Sequence, residues 1–124
     1  MTAHYPGQPP IDAYGNGGFR FAGMSHRGSL LLLPSGVYGW DVPFDSLNPG
    51  DFDAVFRERA SVDLMLLGTG PAMARPPRAV IEVFAKSGIQ LDYMATGFAV
   101  STYNLLLGER RKVAAALIAV ETAG

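Results

Sequence analysis

Two stretches of this chain share one pattern: an apolar, strand-length run that closes on Thr-Gly and then enters a helix-patterned segment. The first is Val62-Asp63-Leu64-Met65-Leu66-Leu67-Gly68-Thr69-Gly70, and the second is Leu91-Asp92-Tyr93-Met94-Ala95-Thr96-Gly97. Strand–turn–helix units in series build a parallel sheet whose C-terminal loops gather at one edge, where α/β folds place their clefts. The pattern therefore locates a site before it names any chemistry.

The remaining segments are read around these two units. Residues 1–10 contain Pro6, Gly7, Pro9 and Pro10 and read as a flexible leader. Residues 11–124 read as a single α/β domain, long enough to bury roughly two-thirds of its unfolded surface. A short strand at 11–14 leads into the turn Gly15-Asn16-Gly17-Gly18, built of residues that accept positive φ. Phe19-Arg20-Phe21 alternates as a half-buried strand, and 23–28 reads as another turn. The leucine run at 29–33 predicts a strand buried on both faces; Pro34-Ser35-Gly36 breaks it before extended structure resumes at 37–40.

A helix over 49–59 opens at Asn48-Pro49-Gly50-Asp51, with Asn48 as N-cap, Pro49 in the first helical position and Asp51 at the positive end of the dipole. A second helix follows Pro76-Pro77 and stops at Gly88 as a C′ residue. After a strand at 89–94, Thr96 is placed to cap a third helix that runs through Leu107 to Gly108. An apolar strand over 113–120 comes last.

Composition narrows the function classes. Ten basic and 11 acidic residues leave a net charge of −1, unsuited to sequence-independent nucleic-acid binding, which rests on clustered Lys and Arg. The densest basic group, Arg110-Arg111-Lys112, reads as a solvated turn. Without cysteine, disulfides, thiolate-bound zinc, iron–sulfur clusters and thiol catalysis are excluded. The first ten residues lack the marks of a signal or transit peptide, and no apolar run reaches the ~20 residues of a membrane span. The expectation is a cytoplasmic protein with no membrane span.

The polar candidates are each weighed on geometry. Gly68-Thr69-Gly70 follows a strand, as phosphate loops do, but lacks both the Gly-x-Gly-x-x-Gly spacing and the Gly-Lys-Ser/Thr of a P-loop. Arg75 and Arg78 near the next helix leave a weaker anion site open, beside the reading of a turn needed for backbone geometry. His26 has no Gly-x-Ser-x-Gly elbow to pair with, and two histidines without cysteine are too few for a transition-metal site. Asp51 and Asp53 diverge around a helix and read as first-turn acids. Ser101-Thr102-Tyr103-Asn104 is the richest polar cluster, on an otherwise apolar helix. Tyr103 and Asn104 need partners if buried, so they either lock the Thr-Gly turns or face a ligand. Tyr38, Trp40 and Phe44 cluster on a loop-rich stretch and read either as an exposed anchor surface or as packing under a loop.

Taken in order, several segments resemble a known family of small domains. They are 11–18 with Phe19-Arg20-Phe21, Ser25-His26-Arg27-Gly28-Ser29 before the leucine strand, Trp40, the 63–70 strand and turn, Thr96-Gly97 and Thr102-Tyr103-Asn104. The family is the one containing mitochondrial complex I assembly factor 3 and many bacterial and archaeal proteins. The resemblance implies a three-layer α/β fold with a central mixed sheet, flanking helices and an added β-hairpin layer. For the mitochondrial members it implies a non-enzymatic role in assembling a respiratory complex through protein partners, and it implies no catalytic residues.

The expectation is thus a protein-interaction or assembly-factor-like domain with a protein partner, no cofactor, no metal and no catalytic residue. The alternative is a small-ligand binder or enzyme using the cleft at the Thr-Gly turns. The site in either case is set at Gly68, Thr69, Gly70, Thr96, Gly97, Tyr103 and Asn104.

Overall fold

The two strand–turn–helix units fold as their pattern predicts. A computed structural model describes residues 3–123. In it β7 (Leu64–Gly68) passes through α2 (Arg78–Ser87) to β8 (Gln90–Met94), and β8 passes through α3 (Thr96–Gly108) to β9 (Val113–Leu117). Both β8 and β9 pair parallel to β7, one on each side. The sheet then continues antiparallel from β9 to β5 (Leu30–Leu33), β6 (Gly36–Gly39) and β1 (Tyr5–Pro6), giving the order β1-β6-β5-β9-β7-β8. A separate three-stranded antiparallel sheet is formed by β2 (Ala13–Gly15), β3 (Gly18–Phe21) and β4 (Met24–Arg27). The central mixed sheet, flanking helices and hairpin layer are all present.

Period-two alternation divides the core into two halves. Leu31, Leu33, Met65, Leu67, Ala114 and Ala116 point to one face, where they meet Val55 of α1 (Asp53–Arg57) and Val80 and Phe84 of α2. Leu30, Leu32, Leu66, Val113, Ala115 and Leu117 point to the other, under Ala99, Val100 and Tyr103 of α3 and Phe19 and Phe21 of β3. The two helices lie on opposite faces because the strands they precede lie on opposite sides of β7, and each crossover keeps the same hand. Phe52 joins the first half together, with ring centroids 5.4 Å from Trp40 and 5.2 Å from Phe84.

Several boundaries differ from the expectation, each for an identifiable reason. Residues 24–27, read as turn, form strand β4. Its turn is confined to Ala22 and Gly23, both at positive φ (50° and 76°), and β4 pairs with β3 along its whole length. The strand read at 11–14 is observed at Ala13–Gly15. The helix over 49–59 begins as a 3-10 turn, Pro49–Phe52, and ends in another, Arg59–Ser61. Asn48 is the N-cap as expected, its side chain accepting from Gly50 N–H, and Asp51, read only as a dipole-stabilising acid, also accepts from Asn48 N–H to complete a capping box. The last strand ends at Leu117 instead of 120.

Met1 and Thr2 lie outside the described residues, but residues 4–9 are tied onto the domain. His4 N–H donates to Val37 O (2.7 Å), Gly7 N–H to Ser35 O (3.2 Å), and Gln8 Nε2 to Val113 O (2.7 Å). Prolines keep this segment extended and so suit it to an edge position.

Candidate functional site

The C-terminal ends of β7, β8 and β9 meet at one edge, and two threonines tie them together. Thr96 N–H donates to Gly70 O (2.8 Å) and Gly70 N–H donates back to Thr96 Oγ1 (3.0 Å), while that hydroxyl donates to Ile118 O (2.8 Å). Ile118 N–H in turn donates to Gly68 O (3.0 Å). Thr69 N–H donates to Met94 O (2.8 Å), and Thr69 Oγ1 accepts from Ala74 N–H (3.0 Å) with Ala72 O (2.8 Å) within reach as its acceptor. Both threonines are buried. Gly68 is glycine because a Cβ there would come within 3.0 Å of Thr96 Oγ1 and 3.1 Å of the Leu117 side chain.

Thr96 is therefore not the cap expected of it. It is the first residue of α3, and Ala95 occupies the N-cap with no side-chain bond. The hydroxyl that would have capped the helix is held by the neighbouring turns instead.

Tyr103 and Asn104 bond to the N-terminal segment and make no hydrogen bond to the Thr-Gly turns. Tyr103 is fully buried and its hydroxyl donates to Pro9 O (2.8 Å); burial pushes its phenol well above the ordinary tyrosine range. Asn104 Oδ1 accepts from Ile11 N–H (2.8 Å) while its Nδ2 donates to Ile11 O (2.8 Å), so one amide side chain serves as a strand partner for Ile11. Both residues bind the N-terminal segment.

An open cleft of about 500 Å³ does lie at this edge, and Gly70 and Gly97 of the expected residues line it. The rest of its lining includes Tyr14 from β2, Pro71, Ala95, Phe98 and Ser101, with Val120 and Thr122. Ser101 belongs to the polar cluster read on α3, but Tyr14, Pro71, Val120 and Thr122 were not read into the site because they come from segments that only the fold brings to α3. Phe98 had a signal: its helical phase with Ser101 and Leu105 sets it on the side of α3 away from Ala99 and Tyr103. It is 72% exposed, and Leu105 is 62% exposed.

The other candidates are also placed. Trp40 and Tyr38 are buried and Phe44 is half-buried against the same core, so the aromatic cluster is packing and no surface anchor. The Trp40 indole N–H donates to Asp51 O (3.1 Å). Arg78 pairs with Glu82 (3.0 Å) on an exposed helix face, and Arg75 is exposed. His26 lies on β4 with its ring centroid 5.1 Å from that of His4, and its Nε2 is buried without a partner among the described residues. Burial lowers its pKa and the neighbouring His4 lowers it further, against the Ser29 backbone and Asp41, which raise it. Among the described residues no three acidic or histidine side chains are grouped to hold a metal, and no helix is long and apolar enough to cross a membrane.

The mixed six-stranded sheet, the three-stranded hairpin layer and the threonine-tied edge belong to a chain with relatives among known proteins. It belongs to the family described as a protein of unknown function (DUF498/DUF598), whose model matches residues 11–118. It is 39% identical over 115 residues to an uncharacterized protein of Rhodobacter capsulatus, covering 92% of this chain and 87% of that one. It is 28% identical over 119 residues to NADH dehydrogenase [ubiquinone] 1 alpha subcomplex assembly factor 3 of mouse, covering 95% of this chain and 64% of the mouse protein. The crystal structure of an outer membrane protein from Bartonella henselae superposes with a TM-score of 0.91 at 48% identity, covering 95% of this chain and 100% of that one. The family resemblance read from the ordered motifs is therefore correct.

Proposed function

We propose that this domain is a non-enzymatic protein-interaction module with an assembly-factor-like role, linked to the building of a respiratory or membrane complex. The observation that supports it best is the disposition of side chains at the strand ends and along α3. Thr69, Thr96, Tyr103 and Asn104 all bond to backbone groups within the domain, while Phe98 and Leu105 on α3 and Met73 on the loop after β7 stand exposed. Phe98 and Leu105 share one face of a rigid helix, which suits them to anchor a partner. The names of the vertebrate relatives, assembly factors, agree with this reading, although the chain spans only 64% of the mouse and 59% of the human protein. We place the protein in the cytoplasm, which fractionation of native cells tests directly.

The test is affinity purification of the tagged protein from its native cell with quantitative mass spectrometry. A reproducible set of protein partners is expected, lost in Phe98→Ser/Leu105→Ser while the melting temperature stays within a few degrees. Enrichment no greater than a tag control refutes the proposal. The cleft supports a second reading, small-ligand binding between Tyr14, Pro71, Phe98 and Ser101. A ligand that raises the melting temperature in proportion to the logarithm of its concentration would favour it.

A further inference from the structure

The six-stranded sheet has two unlike edges. One is β1, two residues long; the other is β8, five residues long and paired with β7 on one side only. In a parallel ladder, alternate residues turn both their N–H and C=O toward the same neighbour. Gln90 N–H donates to Asp63 O (3.1 Å) and Met94 O accepts from Thr69 N–H (2.8 Å), so Gln90, Asp92 and Met94 bond inward. The N–H and C=O of Leu91 and Tyr93 consequently point out of the sheet. Among the described residues these four groups have no partner. Residues 91–94 are half-buried where Met65, Leu66 and Leu67 of β7 are fully buried.

An edge of this kind can take another strand, and Asp92 decides which. Two copies of β8 related by a twofold axis pair all four groups with one another only when Leu91 faces Tyr93 of the second copy. That register sets Asp92 directly opposite its own equivalent, in the non-hydrogen-bonded position where Cα atoms approach to about 4.5 Å. Two carboxylates there repel. Gln90 holds the charge in place, its Nε2 lying 3.3 and 3.4 Å from the two oxygens of Asp92. The same carboxylate attracts a cation on any different strand that adds in this register, and discriminates by charge in both directions.

We propose that β8 is the docking edge for an extended segment of another protein, which adds antiparallel as a seventh strand with Lys or Arg opposite Asp92. Apolar residues flank that cation and lie beside Leu91 and Tyr93 on the α2 face, where both already pack on the core. The proposal rests on the reading of the domain as a partner-binding module and gives the partner its chemistry.

The test titrates isotope-labelled protein with the capped pentapeptide Thr-Val-Lys-Val-Thr and follows backbone amides by NMR. Shifts are expected at Leu91 and Tyr93. The peptide should bind about fivefold or more tightly than its Lys→Glu counterpart. N-methylation of both valines, which removes the two donors facing the edge while the protein is untouched, should abolish binding. Asp92→Asn should bring the Lys and Glu peptides within about twofold of each other. Asp92→Thr should make the free protein self-associate through β8 in sedimentation. No shift at Leu91 and Tyr93, equal binding of the Lys and Glu peptides, undiminished binding of the methylated peptide, or a monomeric Asp92→Thr each overturns the assignment. If these fail while partners still co-purify with the native protein, the interaction reading stands and this edge is not its place.

Discussion

Replacing Thr96 by valine tests what holds the strand ends together. Valine keeps the shape of the side chain and removes only the hydroxyl, which accepts from Gly70 N–H and donates to Ile118 O. Two backbone groups then lose their partner at a site where Thr96 itself is 0% exposed. Leaving a buried backbone group unpaired costs about 1–3 kcal/mol, and the Ile118 carbonyl, partly open to water, sits at the low end. The total is about 2–4 kcal/mol. For a chain of 124 residues that lowers the melting temperature by roughly 10 °C. Thr96→Ser keeps the hydroxyl and loses one methyl, at about 1 kcal/mol. Urea unfolding of the three proteins, with equal m-values, gives the comparison. A Thr96→Val protein within about 0.5 kcal/mol of wild type, or a Thr96→Ser as unstable as Thr96→Val, refutes the hydroxyl as the tie.

The other expectations concern different parts of the molecule. Asn104→Ala should lower stability by about 1–3 kcal/mol and speed hydrogen exchange at Ile11, whose N–H and C=O both lose their partner; an unchanged melting temperature would count against the side chain as a lock. Gly18→Ala should cost about 3 kcal/mol or more by urea denaturation, because its Cβ would overlap the backbone carbonyl oxygen of His26, which cannot move without breaking the β3–β4 ladder. The raised folded-state pKa of Tyr103 means that the unfolded chain loses its phenolic proton first. Stability contributed by this group is full below about pH 10 and then falls by about 1.4 kcal/mol per pH unit, a slope that Tyr103→Phe should lack in urea midpoints. For His26 the folded-state pKa is lowered, so the unfolded chain takes up the proton first and stability should fall as pH drops below about 6.5. His26→Gln should flatten that loss, and equal slopes in the two proteins would rule out His26 as its source.

The elements most legible in the sequence are those whose signal is local. The leucine strand, the Asn48 N-cap, Gly88 in the left-handed conformation at φ 82° and the two Thr-Gly turns all declare themselves within a few residues. What escaped depends on distant segments. β4 reads Met-Ser-His-Arg, and its half-buried alternation is hidden by polar side chains that the small sheet leaves partly in water. β1 contains a proline and has no apolar run; it becomes a strand because β6 offers it an edge. The direction of Tyr103 and Asn104 is set by Pro9 and Ile11, more than 90 positions away in the chain. Polarity marked these two residues as needing partners, but a partner that distant has no local trace. The strand-end edge was therefore readable, while the share of the cleft lining contributed by Tyr14 of β2 and by Val120 and Thr122 after β9 was not.

The place of β9 in the sheet bears on how the chain folds during synthesis. It lies between β5 and β7, although it follows every other strand in the sequence. Until residues 113–117 have left the ribosome, the β5–β6 hairpin and the β7–α2–β8 unit each hold a leucine-rich edge with nothing to pair with. They are two half-sheets awaiting one strand. Joining them requires contacts across 80 or more positions, Leu32 to Ala115 among them, a separation that slows folding and lengthens the exposure of both edges. Chaperones that shield unpaired strands should therefore engage nascent chains stalled before Val113 and release them once Leu117 has emerged, which ribosome-bound chains of graded length would display directly.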